Sequence, residues 1–252
     1  MKIGGKIHRF ESCSSTNDLA KQLAEKNAVH GHVVVCGEQT RGKGTKGRTW
    51  ISMLKKGLYF SVILFPSRPD LSLLPFSASL AIREAVLNEL NILIDLKWPN
   101  DLMYKGRKIG GVLCESSFSE KEPNYSVIGI GINLKHKKND FPADLQKRAG
   151  SLEMFYKRSI DREKILWATF RFLDKWYRAF LKREDHRILS KYLEASFFHE
   201  GEELKADVGG DPVSGVFKGV DKQGKIILDM NGKEERFLSG EILIKKSGRG
   251  LE

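Results

Sequence analysis

Cysteine is scarce. Cys13, Cys36 and Cys114 are the three in 252 residues, odd in number, far apart and without a C-x-x-C pair. This argues against a disulfide framework or a zinc site, and fits a reducing cytosol. Long apolar runs are missing as well: no stretch reaches the ~18 residues needed to cross a bilayer. The start, MKIGGKIHRFESCSSTND, has neither the apolar core nor the small-residue cleavage site of a secretory signal. The expectation is a cytoplasmic protein with no membrane segment. Internal repeats and low-complexity tracts are also absent. Acidic residues are outnumbered, 32 against 43 lysines and arginines, for a formal net charge of +11. Such a surface attracts phosphates, nucleic acids or an acidic protein partner, and charge alone does not choose among them. The basic residues are spread along the chain, with clusters at Arg41 to Arg48 and at KHKK, 135 to 138. Most of them read as a solvated surface.

What is present is enough apolar material, 40% of residues, for one sizeable core or a large domain with a small satellite. After Ser15 and Thr16, either of which can cap a helix, NDLAKQLAEKN places Leu19, Ala20, Leu23 and Ala24 on one helical face. HVVVCGE and GLYFSVILF are β-branched or aromatic runs that read as strands on either side of a glycine-rich segment. PFSASLAIREAVLNEL reads as a helix with Pro75 in its first turn. ILIDLKWPNDLMYKGRKIGGVLCESS and NYSVIGIGINL read as a strand, a turn, a hairpin and another central strand. DREKILWATFRFLDKWYRAFLKR is a long helix by its spacing of Ile165, Leu166, Phe170, Leu173, Trp176 and Phe180, and HRILSKYLEASF follows as a second. From Glu202 the pattern changes to short strands punctuated by VGGDP, DKQG and NGKEE, the mark of a five-stranded mini-barrel. KSGRGLE reads as a frayed end.

The segment GEQTRGKGTKGRTW, Gly37 to Trp50, half-matches two phosphate-binding patterns. GKGTKG satisfies G-x-G-x-x-G, but that fingerprint works by opening a helix onto a pyrophosphate, and RTWISMLKKG has no helical face. GEQTRGKG fits the start of a P-loop, yet Gly44 stands where a magnesium-binding Ser or Thr is needed. What survives is a glycine-rich backbone able to approach an anion closely, surrounded by Arg41, Lys43, Lys46 and Arg48. It reads as a phosphate clamp that orders on its ligand, with a mobile basic surface loop as the alternative.

KWPNDLMYKGRKIGG is the second informative segment. Trp98-Pro99 favours an extended exit from a strand, and Asn100-Asp101 then presents an amide and a carboxylate at the strand end. Asp101 can coordinate magnesium or orient an attacking amine, although an aspartate in a turn is more often structural. Lys108 follows a tight Lys105-Gly106-Arg107 turn, which can hold it beside apolar strands. Gly110 and Gly111 within an apolar run suggest a bulge or a ligand lying against the backbone. GIGIN, 129 to 133, suggests a cavity floor of small residues with Asn133 at its polar end.

SSTN, GEQTRGKGTKGRTW, KWPNDL, GRKIGGVLCE and GIGINL, in this order and at this spacing, resemble the biotin–protein ligases. The resemblance implies an α+β fold: a mixed, mostly antiparallel sheet flanked by helices, of the class II synthetase-like kind, over residues 1–200. A small SH3-like β-barrel would follow over residues 201–252. It implies ATP and biotin as substrates with Mg2+, formation of biotinyl-5′-adenylate, and transfer of biotin to a lysine of a biotin carboxyl carrier protein domain. Some family members carry an N-terminal helix-turn-helix; here SSTN begins at residue 14, so no DNA-binding domain of that kind is expected. A homodimer is left open.

Carried over by position, Ser15, Thr16, Asn17 and Gln39 would line the biotin pocket, and Gly42, Lys43, Gly44 and Thr45 would close over biotin and the phosphates. Gly110 and Gly111 would admit biotin against the backbone. Arg48 would reach the ATP phosphates, Trp50 would stack on adenine, and Asn100 and Asn133 would serve the nucleotide. Lys108 would contact the biotin carboxylate and the α-phosphate; Asp101 would help bind Mg2+ or deprotonate the incoming lysine. The family loop usually reads G-R-G-R-x-G-R-x-W, and Lys43 and Thr45 stand at its first two arginine positions. Lysine keeps the charge without the bidentate fork, and threonine loses it, so the loop is expected to hold the adenylate less tightly. Two rivals remain: a lipoate or octanoate ligase or transferase on the same core, and a basic nucleic-acid-binding module suggested only by charge.

Overall fold

The computed structural model describes residues 2–156, 158–208, 211–238 and 240–243. In chain order the elements are β1 (Lys6–Cys13), α1 (Thr16–Lys26), β2 (His32–Gln39), β3 (Gly57–Leu64), α2 (Leu74–Leu90), β4 (Asp95–Lys97), β5 (Asp101–Tyr104), β6 (Arg107–Ser119) and β7 (Glu122–Asn133). They continue with α3 (Leu152–Tyr156), α4 (Arg162–Leu181), α5 (Asp185–Glu194), β8 (Glu203–Val208), β9 (Asp211–Val220), β10 (Ile226–Met230), β11 (Lys233–Phe237) and β12 (Glu241–Leu243).

β3 is buried at all eight positions, and this explains the architecture. Its neighbours are β2 and β7 in a seven-stranded sheet of order β1-β2-β3-β7-β6-β5-β4. Leu58, Phe60, Val62 and Leu64 belong to the large core beneath α2 and α4, whereas Ile63 joins a smaller core with Val34, Val127 and Ala20 of α1. A central strand covered on both faces loses the polar alternation of a half-exposed one. The β1–β2 pair is parallel and the rest of this sheet is antiparallel, as expected for a mixed, mostly antiparallel core. β1 itself was not foreseen: HRFES lies at the sheet edge, largely exposed, and too little of it is buried to leave a hydrophobic signature.

The helices end where their sequences dictate. Asp161 caps α4 by accepting from the backbone N–H groups of Glu163 and Lys164. Asn91 closes α2 in the left-handed conformation. Ser15 occupies the N-cap position of α1 but its side chain makes no capping bond. The turn expected between ILIDLK and the following hairpin is present: Lys97 pairs with Asp101, so residues 98–100 form a short connection between antiparallel strands, with a cis Trp98–Pro99 peptide.

The C-terminal strands form a separate antiparallel sheet, β11-β10-β9-β8-β12. Among the described residues it is open, β11 and β12 lying at opposite edges, rather than closed into a barrel. It is fastened to the seven-stranded sheet and its β4–β5 connection by Trp98 Nε1, which donates to Gly224 O at 2.9 Å, and by Lys97 Nζ, which donates to Ile242 O at 2.8 Å. The expected frayed end, residues 246–252, lies outside the described residues. No helix among the described residues is long and apolar enough to cross a membrane.

Candidate active site

A cleft of about 490 Å³, counting the space at its open mouth, lies on the α1 side of the large sheet. Its wall is the start of α1 (Ser15, Thr16, Asn17) and Gln39 at the end of β2; its roof is Lys43, Gly44, Thr45 and Trp50; its far end is Asn100 and Lys108. Gly111, Gly129 and Gly131 form the floor. Eleven of the residues expected at the site from sequence therefore meet in one place.

The floor glycines are explained by what lies above them. A Cβ on Gly131 would come within 2.5 Å of Trp50 Nε1, and one on Gly129 would strike the Asn17 amide. β7 thus has gaps where the indole and the amide settle onto the backbone. Gly110 does not face the cleft: a Cβ there would meet Gly131 O and Leu102, so its smallness serves strand packing. Gly42 is also structural, since Trp50 N donates to its carbonyl at 2.9 Å and a Cβ would clash with Trp50 O.

The glycine loop is folded rather than unstructured. Lys43 bridges to Thr49, Gly44 N donates to Arg48 O at 2.7 Å, and Lys46 takes a left-handed φ of 56° at the tip. Lys43 Nζ reaches Asp18 Oδ1 on α1 at 2.6 Å, so an ion pair spans the mouth of the cleft. Arg48 points back along the loop, with Nε 3.4 Å from Thr45 O, and does not line the cleft.

Lys108 is positioned by the β5–β6 hairpin, whose two turn residues, Lys105 and Gly106, both have positive φ. Its backbone is gripped on the other side by residues 148–150: Lys108 N donates to Arg148 O and Gly150 N to Lys108 O. Its ammonium lies 2.5 Å from Asp101 Oδ1. Asp101 is thereby committed to Lys108, and among the described residues no group of three or more His, Cys, Asp or Glu could hold a metal ion. Asn133 lies outside the cleft, donating through Nδ2 to Gly150 O at 3.1 Å and so bracing the same 148–150 segment. Asn100 donates through Nδ2 to Val112 O.

Sequence reasoning missed the residues behind the wall. Thr16 N and Oγ1 lie 2.8 and 3.0 Å from Gln39 Oε1, and Gln39 Nε2 donates to Ser52 Oγ at 2.8 Å. Ser61 Oγ sits 2.6 Å from Asn17 Oδ1 and 2.8 Å from Thr16 Oγ1. Asn17 Nδ2 donates to Glu115 Oε2 at 2.7 Å. The signal for Ser61 was a hydroxyl in the middle of the apolar run GLYFSVILF: it is fully buried, and a buried hydroxyl must have partners.

Comparison with known proteins gives the same picture along the chain. The model of the Biotin/lipoate A/B protein ligase family matches residues 9–133, and that of the Biotin protein ligase C terminal domain matches residues 199–245. The chain is 32% identical over 246 residues to the Bifunctional ligase/repressor BirA of Bacillus subtilis (strain 168), covering 95% of this chain and 74% of the relative. It is 27% identical to a Biotin--[acetyl-CoA-carboxylase] ligase of Mycobacterium tuberculosis, covering 91% of this chain and 85% of the relative. Among solved structures, a biotin protein ligase from Aquifex aeolicus in complex with biotin and ATP superposes with a TM-score of 0.82 at 28% identity, covering 96% of this chain and all of that one.

Proposed function

The chain belongs to the biotin protein ligase family, and from that membership we propose that its cleft joins biotin to ATP and passes the biotinyl group to a lysine of a carboxylase carrier domain. The observation that carries this reading is the convergence of the polar α1 wall, Trp50 and Lys108 on one cleft.

In the first step the biotin carboxylate attacks the α-phosphorus, a P–O bond forms, and the bond to the β-phosphate breaks to release pyrophosphate. Two anions must be brought together, so the site has to supply positive charge placed before they arrive. Lys108 supplies it at the far end of the cleft, whereas Lys43 at the mouth is paired with Asp18. Trp50, seated on Gly131, offers a flat face for adenine. In the second step the carrier amine attacks the acyl carbon and AMP leaves. Lys108 exchanges Asp101 for the ligand anion in this reading, which releases Asp101 to take the amine's proton.

Mg2+ belongs to the chemistry expected for an ATP-dependent adenylation. The residues present do not build a protein cage for it, because Asp101 is engaged by Lys108 and no donor cluster stands nearby among the described residues.

The decisive experiment is biotin-dependent exchange of labelled pyrophosphate into ATP. Exchange is expected with biotin and absent with lipoate; exchange with lipoate alone would overturn the biotin reading. Melting-temperature shifts with each acid plus ATP give an independent check.

A further inference from the structure

Tyr59 is fully buried in β3 and takes no part in the chemistry above, yet its hydroxyl makes three contacts. It accepts from Met53 N–H at 3.1 Å, donates to Met53 O at 3.3 Å and lies 3.3 Å from His136 Nε2. Burial raises the pKa of the phenol and lowers that of the imidazole to about 4, so both are neutral at neutral pH. With the phenol hydrogen directed at Met53 O, the imidazole carries its hydrogen on Nε2 and donates it to Tyr59.

These two partners belong to the two segments that frame the cleft. Met53 closes the stem of the glycine loop, shortly after Trp50 and next to Ser52, which bridges to Gln39. His136 opens the segment that leaves β7 and comes back to grip Lys108. Ser151 Oγ, at the return of that segment, donates to His136 O at 2.7 Å, and the adjacent Gly150 N donates to Lys108 O at 2.9 Å. A second seam runs beside the first: Leu134 N and Lys135 N both donate to Lys56 O, and Lys56 Nζ pairs with Asp140. The charged part of that seam is within reach of water, whereas Tyr59 is sealed from it. A hydrogen bond shielded from water holds its geometry more firmly than an exposed one.

We propose that Tyr59 is a positioning residue, whose hydroxyl locks the stem of the Trp50 loop to the segment that holds Lys108 and so fixes the spacing between the adenine platform and the cation. The proposal rests on the biotin reading and deepens it. Tyr59 acts through Met53 and His136 and touches neither substrate.

The test is biotin-dependent pyrophosphate exchange at saturating biotin and ATP, measured for Tyr59→Phe in the parent and in a Lys108→Ala background. Loss of the hydroxyl should slow exchange by about tenfold in the parent, because a small misplacement of reacting groups is costly. It should slow exchange by less than about threefold once Lys108 is gone, since there is then no cation left to misplace. Ser151→Ala breaks the next link by deleting one hydroxyl and should show the same pattern at about threefold in the parent, which keeps the comparison readable even where Tyr59→Phe does not fold. Thr169→Val deletes another buried hydroxyl, bonded to Ile165 O within α4 on the opposite face of the sheet. It should lower the melting temperature and leave exchange within about twofold of the parent. Exchange at the parental rate in Tyr59→Phe, an equal factor in both backgrounds, or an equal slowing in Thr169→Val overturns the proposal while leaving the biotin reading intact. A parent protein that shows no biotin-dependent exchange overturns both.

Discussion

Lys108 Nζ lies 5.5 Å from the centre of the Trp50 ring, so the cation at the far end of the cleft and the aromatic plane proposed for adenine are neighbours. A positive charge near the face of an indole is attracted to it, and Asp101 holds the same ammonium from the other side. Lys108→Ala should slow pyrophosphate exchange at least about tenfold, equivalent to ~1.4 kcal/mol of transition-state stabilisation. Exchange rates should fall while the melting temperature stays close to that of the parent, because the ammonium is part-exposed and supports no core. Near-parental exchange would remove Lys108 from the chemistry.

The floor of the cleft permits the two substrates to be separated. Gly129→Ala places a methyl group against the Asn17 amide, and Gly131→Ala places one 2.5 Å from Trp50 Nε1. The first should weaken biotin by about tenfold or more, ~1.4 kcal/mol, with less effect on ATP, and the second should do the reverse. Titration of each ligand alone measures both. Equal losses in both variants would indicate a collapsed strand instead.

Thr45 has neither the charge nor the length of an arginine, and Lys43 is tied to Asp18 rather than aimed at a ligand. Free biotinyl-adenylate should therefore escape faster from this protein than from its Thr45→Arg variant, as measured by rapid filtration after adenylate formation. Equal release from the two would show that the loop holds the intermediate by its backbone alone.

His136 is fully buried beside Tyr59, whose hydroxyl lies 3.3 Å from Nε2. Burial, aided by Lys56 and opposed by Asp140, lowers its pKa to about 4. The unfolded chain therefore binds a proton that the folded one refuses, and stability rises with pH between these values. The stabilising difference is fully present above the unfolded value of ~6.5 and is lost progressively as the pH falls toward the folded value, a change on the order of 3 kcal/mol. Denaturant titrations across that range should show this slope, and His136→Asn should flatten it. An unchanged slope would assign it to other groups.

Much of this was legible from residue patterns, for identifiable reasons. α1, α2 and α4 each bury a face large enough to leave helical spacing, and the glycine loop betrays itself by failing to continue as a helix. β1 was invisible because an edge strand buries little. The connection at Trp98 was legible from its Pro-Asn-Asp turn residues, and the pairing of Lys97 with Asp101 closes it. At the site, residues that point into the cleft were found and those that orient them were not. Gly110 and Asn133 carry the same residue types as true lining positions, and only the direction each faces in the sheet distinguishes bracing from binding. Ser61 and Glu115 hydrogen-bond to the Asn17 and Thr16 side chains from behind the wall, at positions fixed by strand register and not by spacing along the chain.

The indole of Trp98 ends on a carbonyl of the C-terminal sheet, two residues before Asn100 at the end of the cleft. Chimeras that exchange this sheet for that of a distant relative would then have to place the carbonyl of residue 224 at the same point, or forfeit the brace next to the cleft. The two modules are thus expected to diverge in step, each limiting the changes the other can tolerate.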